Sequence, residues 1–137
     1  MDVTWAILAR RASMDEIGNV NLIGAGITQL LPHPQPPPRY ETFTVVAQVS
    51  AKGDSEGAIY TLNATVTGPN YEPLSTQERR VSVPPPPTEG LPNLFLVLFT
   101  FTGVRLVQAG GYRAKVAVQA EGSTVVGAYQ EVLFYVS

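Results

Sequence analysis

Cysteine is absent from the chain, and histidine occurs once, as His33. Without a thiol there is no disulfide, no thiolate nucleophile and no Cys-type zinc site. A lone histidine removes most hydrolytic and metal chemistry, because a general base needs an orienting carboxylate and a nearby nucleophile. Charge is scarce as well: 15% of the 137 residues are charged, and the net charge is −2. That balance offers no basic field to phosphate, so nucleic acid is not expected as a partner. The longest wholly apolar run is Leu94-Phe95-Leu96-Val97-Leu98-Phe99, far short of the roughly 20 residues of a membrane helix. No membrane partner is expected. Asp2 stands where a signal peptide carries basic residues, and Arg10-Arg11 is followed by Ala12-Ser13-Met14-Asp15-Glu16 rather than an apolar stretch. The expected location is cytoplasmic or within a virion.

Helical periodicity is missing too. What is present is 45% apolar residues, rich in valine and interleaved with threonine and aromatics, which suit a pleated, half-buried surface. Eight strands are predicted, at 2–9, 20–31, 41–50, 58–67, 77–83, 93–101, 112–120 and 124–136. In the first, Val3, Trp5, Ile7 and Ala9 share the apolar side, so Trp5 is expected in the core. In the second, Gly24 and Gly26 mark a bulge or a close backbone approach. In the third, Phe43, Val45, Ala47 and Val49 share a face. In the fourth, Tyr60, Leu62, Ala64 and Val66 do the same. In the seventh, Tyr112, Ala114, Val116 and Val118 do so. The fifth abuts the prolines 84–87 and is expected at a sheet edge. Hairpins and two long crossings, at 32–38 and after 83, read as one domain over 1–137: an all-β antiparallel β-sandwich of about eight strands.

The order of several short motifs runs through nearly the whole chain. Thr4-Trp5-Ala6 with Leu8 comes first, then Asn21-Leu22-Ile23-Gly24-Ala25 after a polar turn. A proline-containing loop follows. Leu91-Pro92-Asn93 precedes an apolar strand, and Gly111-Tyr112 opens the final hairpin. In this the chain resembles a family of small bacterial and phage-associated proteins, the DUF6941-type domain of unknown function. The resemblance implies a compact β-sandwich and no enzymatic activity, and it carries over no functional residues. Gly111-Tyr112 also resembles the tyrosine corner of immunoglobulin-like sandwiches, in which a tyrosine opening the penultimate strand bonds back to the backbone. The Cys…Trp…Cys framework of true immunoglobulin domains is absent, so the likeness is architectural.

Candidates for chemistry are few. His33 lies between Pro32 and Pro34 with no Ser or Asp motif, and reads as a solvated loop residue. Asp54 and Glu56 share one loop and Asp15 and Glu16 another, but two carboxylates are few for calcium. Gly24-Ala25-Gly26 does not continue into a dinucleotide fingerprint. The prolines 84–87 fit a stiff crossing loop better than a PxxP ligand. No catalytic residue, cofactor or metal is expected.

The sharpest feature is apolar character on both faces of two strands. On the sixth, Phe95, Val97, Phe99 and Phe101 fill the core, leaving Leu94, Leu96 and Leu98 outside. On the last, Val126, Ala128, Val132, Phe134 and Val136 point in, leaving Val125, Tyr129, Leu133 and Tyr135 out. The outer face of a sandwich sheet is normally polar. Either a crossing loop covers these residues or they form a subunit interface, expected on one sheet containing both strands. The candidate interface is Leu94, Leu96, Leu98, Tyr129, Leu133 and Tyr135. The expected function is a non-catalytic structural or assembly protein that packs as a homo-oligomer or in a protein lattice, such as a virion decoration protein. The alternative is a small-ligand or carbohydrate-binding module, which needs clustered aromatic rings; Tyr40, Tyr60 and Tyr71 are available.

Overall fold

The computed structural model describes residues 1–17, 19–27, 29–30, 36–51, 53–86, 88, 91, 93–123, 127 and 129–137. His33, Pro87, Val125, Val126 and Ala128 lie outside them. Nine strands form among the described residues: β1 (Asp2–Met14), β2 (Val20–Ala25), β3 (Gln29–Leu30), β4 (Arg39–Ser50), β5 (Ile59–Thr67), β6 (Pro73–Ser82), β7 (Leu94–Leu106), β8 (Gly110–Ala120) and β9 (Tyr129–Val136). They build two sheets, ordered β2-β1-β4-β7 and β3-β9-β8-β5-β6. All pairings are antiparallel except the short β3–β9 contact, which is parallel. Leaving out β2 and β3, three strands face four, and the chain changes sheet between β4 and β5, between β6 and β7, and between β7 and β8. This is the immunoglobulin-like sandwich expected from the pattern. The predicted fifth strand is β6, which begins four residues earlier than expected and does lie at an edge.

The alternation read from the sequence is what packs. Phe43, Val45, Ala47 and Val49 of β4 are buried against Leu62, Ala64 and Val66 of β5, with Val97, Phe99 and Phe101 of β7 beside them. Tyr112, Ala114, Val116 and Val118 of β8 and Phe134 and Val136 of β9 close the core. Each such large side chain stabilises the fold by about 1.5–3 kcal/mol. Phe43 holds the ends together, its ring 5.7 Å from that of Phe101 and 5.6 Å from that of Phe134. Tyr112 stacks on Phe134, and its hydroxyl donates to the Gln108 carbonyl at 2.6 Å. That bond spans the β7–β8 corner and is the tyrosine corner anticipated from Gly111-Tyr112.

Three expectations are corrected. First, Trp5 is not in the core. Val3 pairs with Val49, but Trp5 pairs with Gln48, so Thr4 is an extra residue in β1. Its hydroxyl bonds the Gln48 side chain at 2.9 Å. One inserted residue reverses the alternation. Ala6 and Leu8 therefore point inward, and Trp5, half-buried, points outward with Gln48.

Second, the expected strand 20–31 is two strands in two sheets. β2 ends at Ala25, and β3 pairs with β9 on the other side. Gly24 sits at the left-handed φ of 62°, and a Cβ there would lie 2.8 Å from the Arg10 Cγ, so the close approach expected of this glycine is real. Third, β7 and β9 are in different sheets. The short connection 107–109 carries the chain from one sheet to the other, so β8 and its hairpin partner β9 lie opposite β7.

Candidate functional site: a tyrosine cleft on the five-stranded sheet

The six residues of the candidate interface divide between the two outer faces of the sandwich. Leu94, Leu96 and Leu98 stand on the four-stranded sheet, Leu94 exposed and the other two half-buried. There they form rows with β4 and β1: Leu96 beside Gln48 and Trp5, and Leu98 beside Val46 and Ile7. Val46 and Thr44 point outward yet are buried. The far half of β1 and β2 reaches over this face, where residues 10–13, Asn21 and Ile23 share a groove of about 290 Å³ with Thr42, Thr44 and Thr100. Cover by the chain itself is thus partial, and it comes from the β1–β2 hairpin.

Tyr129, Leu133 and Tyr135 stand on the opposite face, that of the five-stranded sheet. They are 52%, 61% and 64% exposed, which places them at the surface rather than under a loop. Across the ladder Tyr129 meets Ala117, Glu131 meets Lys115, Leu133 meets Arg113, and Tyr135 meets Gly111. Gly111 has no side chain, so the Tyr135 ring lies over its backbone; a Cβ there would sit 3.9 Å from Tyr135 Cε2.

The β5–β6 hairpin supplies the other wall. Gly68 N donates to the Glu72 carbonyl at 2.9 Å, and Tyr71 N to the Gly68 carbonyl at 3.0 Å. The Glu72 carboxylate turns back to accept from Asn70 N at 2.8 Å. Pro69-Asn70 makes the turn, and Tyr71 takes the left-handed position that ordinarily goes to glycine in such a loop, at φ 60°. A bulky residue there is an outlier that costs on the order of 1–3 kcal/mol. Its ring is 69% exposed, so burial of the ring does not offset that cost. The Arg113 guanidinium sits 4.5 Å from the ring centroid. Pro69, Tyr71, Gly111, Arg113, Leu133 and Tyr135 together line a cleft of about 310 Å³, at the small end of ligand-sized pockets. Two residues further along β8, Lys115 Nζ lies 4.3 Å from the Tyr129 ring centroid.

Of the three rings named from the sequence, only Tyr71 belongs to this cleft. Tyr40 is exposed on β4, in the other sheet, and Tyr60 is turned toward the core, its hydroxyl donating to Asp54 at 2.7 Å. That bond pushes the Tyr60 phenol above its ordinary value. Burial works to raise the Asp54 carboxyl, but hydrogen bonds from the Met1 amino group and Tyr60 outweigh it and hold the carboxyl low. Asp15 is also occupied, accepting from Ile17 N at 3.0 Å and Asn19 N at 2.8 Å. Among the described residues no cluster of three or more acids and histidines could hold a metal, and no helix is long and apolar enough to cross a membrane.

No family model matches the chain, and no curated protein matches it. Solved structures do. A protein described as a β-galactosidase from Bacteroides fragilis aligns at 18% identity and a TM-score of 0.51, over 70% of this chain and 14% of that one. β-Glucuronidase 2 of Bacteroides uniformis aligns at 16% identity and a TM-score of 0.53, over 74% of this chain and 12% of that one. The chain therefore spans only a small part of their length, and at this identity the likeness is one of fold: a β-sandwich of the kind those glycosidases contain.

Proposed function

We propose that the chain is a non-catalytic binding module that holds a saccharide ring in the Tyr71–Tyr135 cleft. The observation that carries this reading is Tyr71 itself. The fold keeps an exposed aromatic at a left-handed position where glycine would be less strained, and local strain at an exposed ring points to use of the ring. A sugar ring presents C–H bonds of partial positive charge, which favour the negative face of an aromatic ring. Two exposed tyrosines flanking a bare glycine backbone, with a guanidinium at hand to donate hydrogen bonds to hydroxyls, supply both parts of such recognition. The glycosidase context of the similar sandwiches supports a saccharide over other small ligands.

Hydrolysis is not part of the proposal. It needs two facing carboxylates, whereas the Glu72 carboxylate is engaged in its own turn and Glu131 stands opposite Lys115. The test is a screen of soluble oligosaccharides by calorimetry, followed by Tyr71→Ala and Tyr135→Ala. Each is expected to weaken the best ligand by tenfold or more, about 1.4 kcal/mol. A best ligand that binds both variants as well as it binds the wild type refutes the site, and a screen with no binder refutes the reading.

A further inference from the structure

Strand β7 is the outermost strand of its sheet. Ala51 N donates to the Asn93 carbonyl at 2.9 Å, so that carbonyl points to the β4 side. The Thr100 carbonyl points the other way, where it accepts from the Gln77 side chain of β6. Backbone groups alternate sides along a strand. The N–H and C=O groups of Leu94, Leu96 and Leu98 therefore face away from β4. Among the described residues no strand pairs with them there. Leu96 and Leu98 line a groove of about 670 Å³ between β7, the β6 segment 79–82 and the end of β1, residues 12–14. Natural edge strands are usually protected by lysine, proline or a bulge. From 94 to 100 β7 has none of these, and no charged residue occurs between Glu89 and Arg105.

We propose that β7 pairs antiparallel with β7 of a second copy, about a two-fold axis through Leu96. The length of the open edge argues for a copy of the same chain. In the sequence Pro92 offers no amide hydrogen, and the Thr100 carbonyl is already occupied by Gln77; the two positions are equally far from Leu96. With Leu96 opposite itself, Leu94 meets Leu98 of the second copy, and about six backbone hydrogen bonds form between groups that are otherwise unpaired. An isologous contact sets each residue against its symmetry mate, so an uncharged strand meets no like charge on its own ladder. The outward side chains of Leu94, Leu96 and Leu98, next to Trp5 and Ile7, then run on as one apolar surface across both copies. The charge the pairing has to accommodate is Arg79 in the same groove, since Arg80 is ion-paired with Glu121.

Sedimentation of the whole chain tests this. The wild type is expected to be a dimer at micromolar concentration. Leu96→Lys and Leu96→Glu are each expected to be monomers with wild-type circular dichroism, and mixing the two is expected to restore the dimer, because the axis places residue 96 against itself. A monomeric wild type overturns the proposal, as does a mixture that stays monomeric while each variant is folded. Should the charged variants unfold, Leu96→Cys decides in a chain with no other cysteine. On mild oxidation it is expected to form a disulfide-linked dimer, while Thr76→Cys does not. Equal cross-linking of the two, or none, overturns the pairing.

Discussion

Replacing Tyr71 by glycine and by alanine separates the backbone strain from the ring. At an ordinary extended or helical position alanine is more stable than glycine by about 0.5–1 kcal/mol, because glycine loses more freedom on folding. At φ 60° a Cβ adds about 1–2 kcal/mol of left-handed strain, which outweighs that entropy. The order should therefore reverse, with Tyr71→Gly more stable than Tyr71→Ala by about 0.5–1 kcal/mol. The wild type retains the contact of its ring with Arg113, worth about 0.5–1 kcal/mol at an exposed site. It should accordingly lie above the alanine variant and close to the glycine one. For a chain of this length the gap between the two variants corresponds to a difference in Tm of about 2–4 °C, resolvable by thermal or urea unfolding. Arg113→Ala in the Tyr71→Ala background should cost less than in the wild type, and that difference measures the ring contact alone. If alanine proves as stable as glycine, Tyr71 is not strained and the argument for its use as a binding ring fails. If glycine is favoured and saccharide binding survives, the strain is real and the ring is not the platform.

Tyr112→Phe removes the hydroxyl bond to Gln108 while leaving the ring in place, and is expected to cost about 1–2 kcal/mol by urea unfolding; no loss would show that the corner does not depend on this bond. Trp5→Phe should cost less than the 3–5 kcal/mol of a core truncation, and Trp5 emission in the folded protein should be quenched by added iodide. A blue, unquenchable emission would return Trp5 to the core. The Tyr60 phenol is raised first by its bond to Asp54 and then by burial, so the stability it contributes is fully present below about pH 10 and lost as pH rises through the folded value. Tyr60→Phe should lack that alkaline loss, seen as a narrowing gap in Tm between wild type and variant above pH 10.

What the sequence determined by itself was the local alternation. Phe43, Val45, Ala47 and Val49, or Tyr112, Ala114, Val116 and Val118, are legible because side chains along a strand alternate with a period of two, and burial on one face leaves that period in the composition. Gly111-Tyr112 was legible for a related reason: a tyrosine opening the strand after a crossing reaches back only a few residues, to Gln108. The tertiary structure decided whatever depends on the phase between distant strands. The extra residue at Thr4 is defined only by what lies opposite on β4, so the sequence of β1 alone could not show Trp5 turned outward. The run 20–31 looks continuous because its two parts are both strands, though they serve different sheets. Leu96 and Leu133 share a pattern yet stand on opposite faces, because the connection after β7 crosses the core. The cleft is the furthest from local reading. Tyr71, Arg113 and Tyr135 come from three strands or turns, and they meet only because β8 lies between β5 and β9.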